Sequence, residues 1–296
     1  MSLHCVECVN CSDDLEGEKL NMEIFISYAE YLEDLILYDA LKEYKEGFYV
    51  DIGAFDPIDI SVTKAFSLRG WKGINVEPLS ERHEALVFDR PSDINLKLCV
   101  SDSEGEITLF EAGGASTVEQ KTLKNIKLNN ALSGNSSVRA VTLERLLNEN
   151  VPQGQPIHFL KIDVEGHEEK VLRGMNFASN RPRIIIIESV VPWKGTPSHD
   201  EWEPILLANG YNCSFAYRNN RYYVDQAFPE INFKEVAELL TSYRTFLISS
   251  PQDKYRLSYM AIESVFSEHE KIKQFVLKVV RKLYPLVSKY FPTLVK

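Results

Sequence analysis

Five short apolar runs in this chain each close on or beside an acidic residue, and helical patterns separate most of them. Phe48-Tyr-Val-Asp51 leads at once into the glycine turn Ile52-Gly53-Ala54. Gly73-Ile-Asn-Val ends on Glu77, Leu96-Lys-Leu-Cys-Val100 is followed by Asp102, His158-Phe-Leu-Lys-Ile ends on Asp163, and Ile184-Ile-Ile-Ile ends on Glu188. Apolar runs alternating with helices predict an α/β, Rossmann-like fold: a mostly parallel twisted sheet with helices on both faces. The pair of runs 211–217 and 221–224 adds an antiparallel edge. Open sheets of this kind bind ligands at the carboxyl ends of their strands, so all five acids are expected along one rim.

The segments between the runs follow the same logic. Residues 61–69 read as a helix stopped by Gly70, and 81–88 as a helix closed by Arg90-Pro91. Residues 142–148 read as a short helix capped by Thr142, another helix begins after Glu165-Gly166, and 204–209 look helical. From Met22 to Tyr44, Ile24, Tyr28, Tyr31, Leu32, Leu35, Ile36 and Leu41 recur at helical spacing. Residues 106–110 suggest a further strand. Residues 111–137, rich in Gly, Ser and Asn and tipped by Gly113-Gly-Ala-Ser-Thr117, read as a long loop bordering the site. The expected organisation is a polar leader over 1–22, a ligand-binding domain over 23–228, a helical extension over 229–270 and a basic amphipathic helix over 271–296.

Charge narrows the partners. The formal net charge of −10 argues against nonspecific nucleic-acid binding. Residues 271–296 carry seven Lys or Arg and no acid, so the rest of the chain stands near −17, the total of −10 less the tail's +7. In that tail Ile272, Phe275, Val276, Val279, Leu283, Leu286 and Val287 form one helical stripe, ringed by Lys273, Lys278, Arg281, Lys282 and Lys289; Pro285 should kink it. Such a helix suits either peripheral contact with anionic lipid or dimerisation. No apolar run approaches the roughly 20 residues that span a bilayer, and the first twenty residues lack a secretory pattern. The expectation is a cytoplasmic protein, at most peripheral to the inner membrane. Of five cysteines, Cys5, Cys8 and Cys11 form a C-x-x-C-x-x-C run beside His4, open to a zinc, an iron–sulfur or a merely fortuitous reading. Cys99 and Cys213 are expected to be buried small hydrophobes.

Two cofactors fit an acid-and-glycine strand end. A dinucleotide requires G-x-G-x-x-G to cradle its pyrophosphate, and here those positions are Gly53, Phe55 and Ile58. S-adenosyl-L-methionine has no phosphate and still offers ribose hydroxyls to a carboxylate such as Glu77. The missing glycines decide for it.

At this point the chain resembles the FkbM-type S-adenosylmethionine-dependent methyltransferases, in particular a bacterial branch found with sugar-transferring enzymes. The matching words are Ser27-Tyr28-Ala29 with Glu33-Asp34, Val50-Asp-Ile-Gly-Ala54 with Asp56-Pro57, and Ser61-Val-Thr-Lys-Ala-Phe66. They continue with Arg69-Gly-Trp-Lys-Gly-Ile-Asn-Val-Glu-Pro78, Ser101-Asp102 with Gly105, and Phe159-Leu-Lys-Ile-Asp-Val-Glu-Gly-His-Glu168. Val171-Leu-Arg-Gly174, Glu188 and Glu201-Trp-Glu-Pro204 complete them. The resemblance covers 24–226 and leaves out the basic tail; Phe55 stands where the family commonly has Asn. It implies a class I methyltransferase in which Asp51, Gly53 and Ala54 meet the methionine end of the cofactor, Glu77 the ribose and Asp102 the adenine, with Pro78, Ser101 and Asp163 in the same set.

A sugar hydroxyl needs a base or a metal before it can accept a methyl group. Asp163, Glu165, His167 and Glu188 are the candidates. Either Glu165 or His167 takes the proton, or Asp163, Glu165 and Glu188 hold a hard divalent cation such as Mg²⁺; a carboxylate base is preferred. His167 also reads as a solvent-facing residue opening a helix, and Glu168, Glu169 and Lys170 as an exposed helix face. The resemblance implies O-methylation of a sugar hydroxyl in a glycan or its precursor. The alternatives are a methyltransferase for a lipid or secondary metabolite, and a catalytically silent binding subunit of glycan assembly. A dinucleotide oxidoreductase ranks last for want of the glycine cradle.

Overall fold

A computed structural model describes residues 24–233 and 244–247. In chain order the elements are β1 (Ile24–Ser27), α1 (Glu33–Ala40), β2 (Phe48–Ile52), α2 (Lys64–Leu68), β3 (Lys72–Val76), α3 (Ser80–Asp89) and β4 (Ile94–Leu96). Next come β5 (Cys99–Ser101), β6 (Gly105–Glu111), α4 (Gln120–Leu128), β7 (Gly134–Thr142), α5 (Leu143–Asn150), β8 (Phe159–Ile162) and α6 (Glu168–Arg173). The chain continues with β9 (Ile184–Glu188), α7 (Glu203–Ala208), β10 (Tyr211–Tyr217), β11 (Asn220–Asp225) and β12 (Arg244–Leu247).

The main sheet has the order β10-β11-β9-β8-β2-β3-β4. Its pairs from β9 to β4 are parallel, and β11 joins β9 antiparallel, as does β10 to β11. This is the α/β, Rossmann-like architecture with an antiparallel edge. Period-two alternation sorts the central strand between two cores. Phe48, Val50 and Ile52 join Leu160, Ile162, Ile185 and Ile187 on one face. Tyr49 turns to the other, with Phe66, Trp71, Phe159 and Ile186. The isoleucines at 184–187 are buried on both faces, as an interior strand covered on both sides requires, and each contributes about 1.5–3 kcal/mol by burial.

The third apolar run departs from expectation. It divides into β4, on the edge of the main sheet, and β5, which pairs parallel with β7 in a separate three-stranded sheet. Leu98 and Val100 pack into the main core beside Val141 and Leu143 while their backbone leaves the main ladder. Asp102 therefore stands off the common rim.

Three further expectations are corrected. Residues 22–44 do not make one helix: Ile24–Ser27 is a strand pairing parallel with Arg244–Leu247, and the helix begins at Glu33. Asp34 accepts the Ser27 hydroxyl at 2.6 Å and the Tyr28 N–H at 2.7 Å, and Leu32 lies at φ 66°, which together forbid extending the helix backward. The supposed loop 111–137 contains α4 and the start of β7; its glycine tip and the short link between α4 and β7 are irregular. The polar α4 is anchored by Leu123 and Ile126, too short a stripe to announce a helix. Cys213 is exposed, on the solvent side of the edge strand, while Cys99 is buried as expected.

The helices at 64–68, 80–89, 143–150 and 203–208 lie where the sequence placed them. Thr142 caps α5 by accepting the Arg145 N–H at 3.2 Å. Within the stretch expected to be helical beyond residue 229, Arg244–Leu247 is a strand. The leader with Cys5, Cys8 and Cys11, and the basic tail 271–296, lie outside the described residues. Among the described residues no helix is long and apolar enough to cross a membrane.

Candidate functional site

The carboxyl ends of β2, β3, β8 and β9 open onto one cavity. Gly53, Ala54, Glu77, Pro78 and Asp163 of the expected cofactor set line it, and so do all four expected catalytic residues, Asp163, Glu165, His167 and Glu188. Asp51, Ser101 and Asp102 do not. Asp51 is buried beneath the cavity floor, Ser101 is buried behind His167, and Asp102 is exposed.

The floor is set by a glycine that no other residue can replace without strain. Gly53 lies at φ 83°, and a Cβ there would sit 1.9 Å from the Asp163 carbonyl oxygen. The β2 and β8 turns thus touch backbone to backbone. The N–H groups of Gly53 and Ala54 both donate to the Val76 carbonyl at 3.0 Å, tying the same turn to β3. Lys161, on β8, donates to the Gly53 carbonyl at 2.9 Å and pairs with Asp51 at 3.2 Å and Asp163 at 3.4 Å. Burial opposes the ammonium charge, but these two carboxylates hold its pKa above the ordinary lysine value. Asp51 is fixed in turn by the Thr63 hydroxyl at 2.9 Å, which Arg90 braces at 2.6 Å from a fully buried position.

Glu77 is 4% exposed and accepts the N–H of Leu79 at 2.7 Å and of Phe55 at 2.8 Å. Burial pushes its carboxyl up to about 7, with those two donors resisting. Phe55, at φ 49°, lies under the Arg82 guanidinium at 4.5 Å and beside Gly114 of the glycine tip. Gly113, Gly114, Ser116 and Thr117 all line the cavity, so the tip does border the site as the sequence suggested.

The other end of the cavity gathers acids. Ligand oxygens of Asp163, Glu165 and Glu188 lie within 4.8 Å of one another, and Glu30 lines the same end. Glu165 and Glu188 are both pushed well above the ordinary carboxylate range, by burial first and then by the neighbouring Asp163 charge. Glu188 Oε2 is buried with no hydrogen-bond partner among the described residues. Glu165 holds φ 55°, a conformation that disfavours any residue with a Cβ, and its carbonyl accepts the hydroxyls of Thr117 at 2.9 Å and Thr122 at 3.1 Å.

His167 and Glu168 differ from their sequence reading. His167 is 2% exposed rather than solvent-facing; its Nδ1 lies 2.6 Å from Glu119 Oε1 and its Nε2 3.0 Å from Ser101 Oγ. The hydrogen bond with His167 holds the Glu119 carboxyl below its ordinary value. Both ring nitrogens are engaged. Glu168 is buried, accepting the N–H groups of Val164 at 3.2 Å and Gly166 at 3.0 Å, and burial pushes it up to about 7. An acid in the first turn of α6 was the available signal for that cap. Lys161 belonged to the sequence word carrying Asp163, but its contacts were not foreseen. Thr117, Glu119 and Thr122 come from the segment read as a loop, 43 to 48 positions from their partners.

The family model for the methyltransferase FkbM domain matches residues 51–213, more than half of the chain. No curated protein matches it.

Proposed function

The chain belongs to the FkbM methyltransferase family, and on that footing we propose that it moves a methyl group from S-adenosyl-L-methionine to a hydroxyl of a sugar, in a glycan or a glycan precursor. The observation that carries this reading is the convergence of Asp163, Glu165 and Glu188 at one end of the cavity that begins at Gly53. When bound, the cofactor supplies a methyl group on a sulfonium, open to in-line attack by a placed oxygen nucleophile.

The residues fit such a cofactor. The bare backbone at Gly53 and Ala54 permits close approach, and Phe55 and Ile58 leave no room for a pyrophosphate cradle. Glu77 uses one lone pair of each oxygen on the backbone and keeps the others for ribose hydroxyls. Asp51 acts from below, through Lys161 and the Gly53 carbonyl. Glu165 or Glu188, in its ionised form, takes the proton of the acceptor hydroxyl; burial makes each a stronger base once ionised but moves its ionisation, and with it turnover, toward alkaline pH. With both nitrogens engaged, His167 holds the 165–168 turn in place. The same three carboxylates also favour a second reading, in which they hold a divalent cation such as Mg²⁺ that acidifies the hydroxyl.

Calorimetric titration of the full chain with S-adenosylhomocysteine and, separately, NADH tests the cofactor. Binding of the first alone, weakened in a folded Asp51→Asn variant, is the expected result. A folded wild-type sample that binds neither would sink the reading and favour a silent subunit of glycan assembly. With an acceptor in hand, turnover that survives EDTA selects the carboxylate base; loss restored by MgCl₂ selects the cation.

A further inference from the structure

We propose that the acceptor carries an oxyanion, a phosphate or a carboxylate, at a distance from the hydroxyl to be methylated, and that Arg218 binds it. This rests on the methyltransferase reading above and names the substrate class of that same site.

The two ends of the acceptor region differ in charge. At the reacting end the cavity is lined by Glu30, Asp163, Glu165 and Glu188. Lys161 is there too, but its ammonium is engaged by Gly53, Asp51 and Asp163. An anion is repelled at that end, whereas neutral hydroxyls find acceptors.

Directly beyond Glu188 the charge reverses. Glu188 is paired in register with Asn220, the first residue of β11, and the Tyr217–Asn220 pair closes a two-residue turn with Arg218 at φ 54°. That turn stands at the same edge of the sheet, just beyond the carboxyl end of β9. It is held there from two sides. The Asn219 carbonyl accepts the N–H of Ser189 at 2.7 Å and its hydroxyl at 2.9 Å, and the Asn220 amide donates to Glu33 at 2.8 Å. Glu33 also accepts the N–H of Tyr31 at 2.8 Å, next in sequence to the cavity-lining Glu30.

The Arg218 guanidinium carbon lies 5.9 Å from the centre of the Tyr31 ring and 5.7 Å from that of Tyr217. Among the described residues it makes no hydrogen bond and no ion pair, although Arg82, Arg145, Arg173, Arg181 and Arg221 each have a carboxylate partner. Two rings hold the side chain in advance, lowering the entropy lost when it binds, and its planar fork of donors matches a phosphate or a carboxylate. A cleft that offers hydroxyl acceptors, with an unengaged guanidinium past the end of β9 outside its lining, selects a sugar that is neutral where it reacts and anionic elsewhere.

The test is calorimetry on the full chain saturated with S-adenosylhomocysteine. The probes are the 1-phosphates of glucose, galactose and mannose, glucuronate and galacturonate, and the methyl glycosides of the same three hexoses. At least one charged probe should bind about tenfold or more tightly than its neutral counterpart, and whether phosphates or uronates lead identifies the source of the oxyanion. Arg218→Gln should erase the preference and Arg218→Lys keep part of it, both with S-adenosylhomocysteine affinity within twofold of wild type. Equal binding of charged and neutral probes, a preference that survives Arg218→Gln, or no binding of any probe overturns the proposal. Failure of S-adenosylhomocysteine itself to bind would strike the cofactor reading instead, and the proposal with it.

Discussion

Glu77 and Glu188 both stand at the carboxyl end of a parallel strand and both line the cavity, yet their oxygens meet different surroundings. Each oxygen of Glu77 accepts a backbone N–H, from Leu79 and from Phe55. Glu188 Oε2 is buried and accepts nothing from the described residues. The same contrast holds for their neighbours. The backbone holds Glu168, and the Thr63 hydroxyl holds one oxygen of Asp51, whose Oδ1 faces only the Lys161 ammonium; Asp163, Glu165 and Glu188 crowd together, with Lys161 paired to Asp163. An acid whose lone pairs are taken by the protein shapes a backbone. One left buried without donors destabilises the fold, and functional sites are where such groups are found. The cavity thus has a built end and a reactive end.

Lys161 joins the two ends, so its removal should have the largest effect. Lys161→Met leaves Asp51 buried without its counter-charge and should cost about 3–5 kcal/mol in urea unfolding. Gly53→Ala drives a methyl group into the Asp163 carbonyl at positive φ; a loss of about 2–4 kcal/mol is expected, with S-adenosylhomocysteine binding abolished in calorimetry.

The strand-end acids themselves should respond with opposite signs. Glu77→Gln replaces one acceptor by an NH₂ that faces a backbone N–H, and should destabilise by about 1–3 kcal/mol. Glu188→Gln removes a carboxyl that burial makes costly to ionise and that the fold must keep protonated, and should stabilise by about 1 kcal/mol at pH 8 while abolishing methyl transfer. Equal signs in the two unfolding curves would erase the distinction between the ends. The same logic fixes a pH dependence. Glu77 and Glu168 sit near 7 in the folded chain against an ordinary 4.5. Their raised values contribute stability that is complete below pH 4.5 and is lost as pH rises through 7. The urea midpoint should therefore fall between pH 5 and pH 8, and fall less in Glu188→Gln. The smallest effect is expected of Thr122→Val, which removes one of two hydroxyls from the Glu165 carbonyl, at about 1 kcal/mol, with Thr122→Ser restoring it.

Much of this was legible in the chain itself, for local reasons. The isoleucine run before Glu188 has one comfortable home, the interior of a sheet covered on both faces, and Gly53 after Asp51 marks a turn that needs a bare backbone. What escaped depends on contacts between distant positions. His167 follows a glycine turn and looks like an outward-facing helix start; its burial is decided by Glu119 and Ser101, 48 and 66 positions away. The Leu96–Val100 run is continuous as sequence, and only the pull of Leu98 and Val100 into the core divides it between two sheets. Residues 111–137 hold only Leu123 and Ile126 in α4 as a buried apolar signal, and the Val138, Ala140 alternation that marks β7 begins just past their end, amid so many Ser, Asn and Gly that neither period stands out.

The paired threonine contacts have a kinetic consequence. Thr117 and Thr122 grip one carbonyl from either side of Glu119, which is itself held by His167. The stretch between them cannot peel away residue by residue, since releasing either end leaves the other two anchors in place. It opens as a unit, so the amides of 117–123 should share one rate of hydrogen exchange, and passage past this wall of the cavity is a single cooperative event.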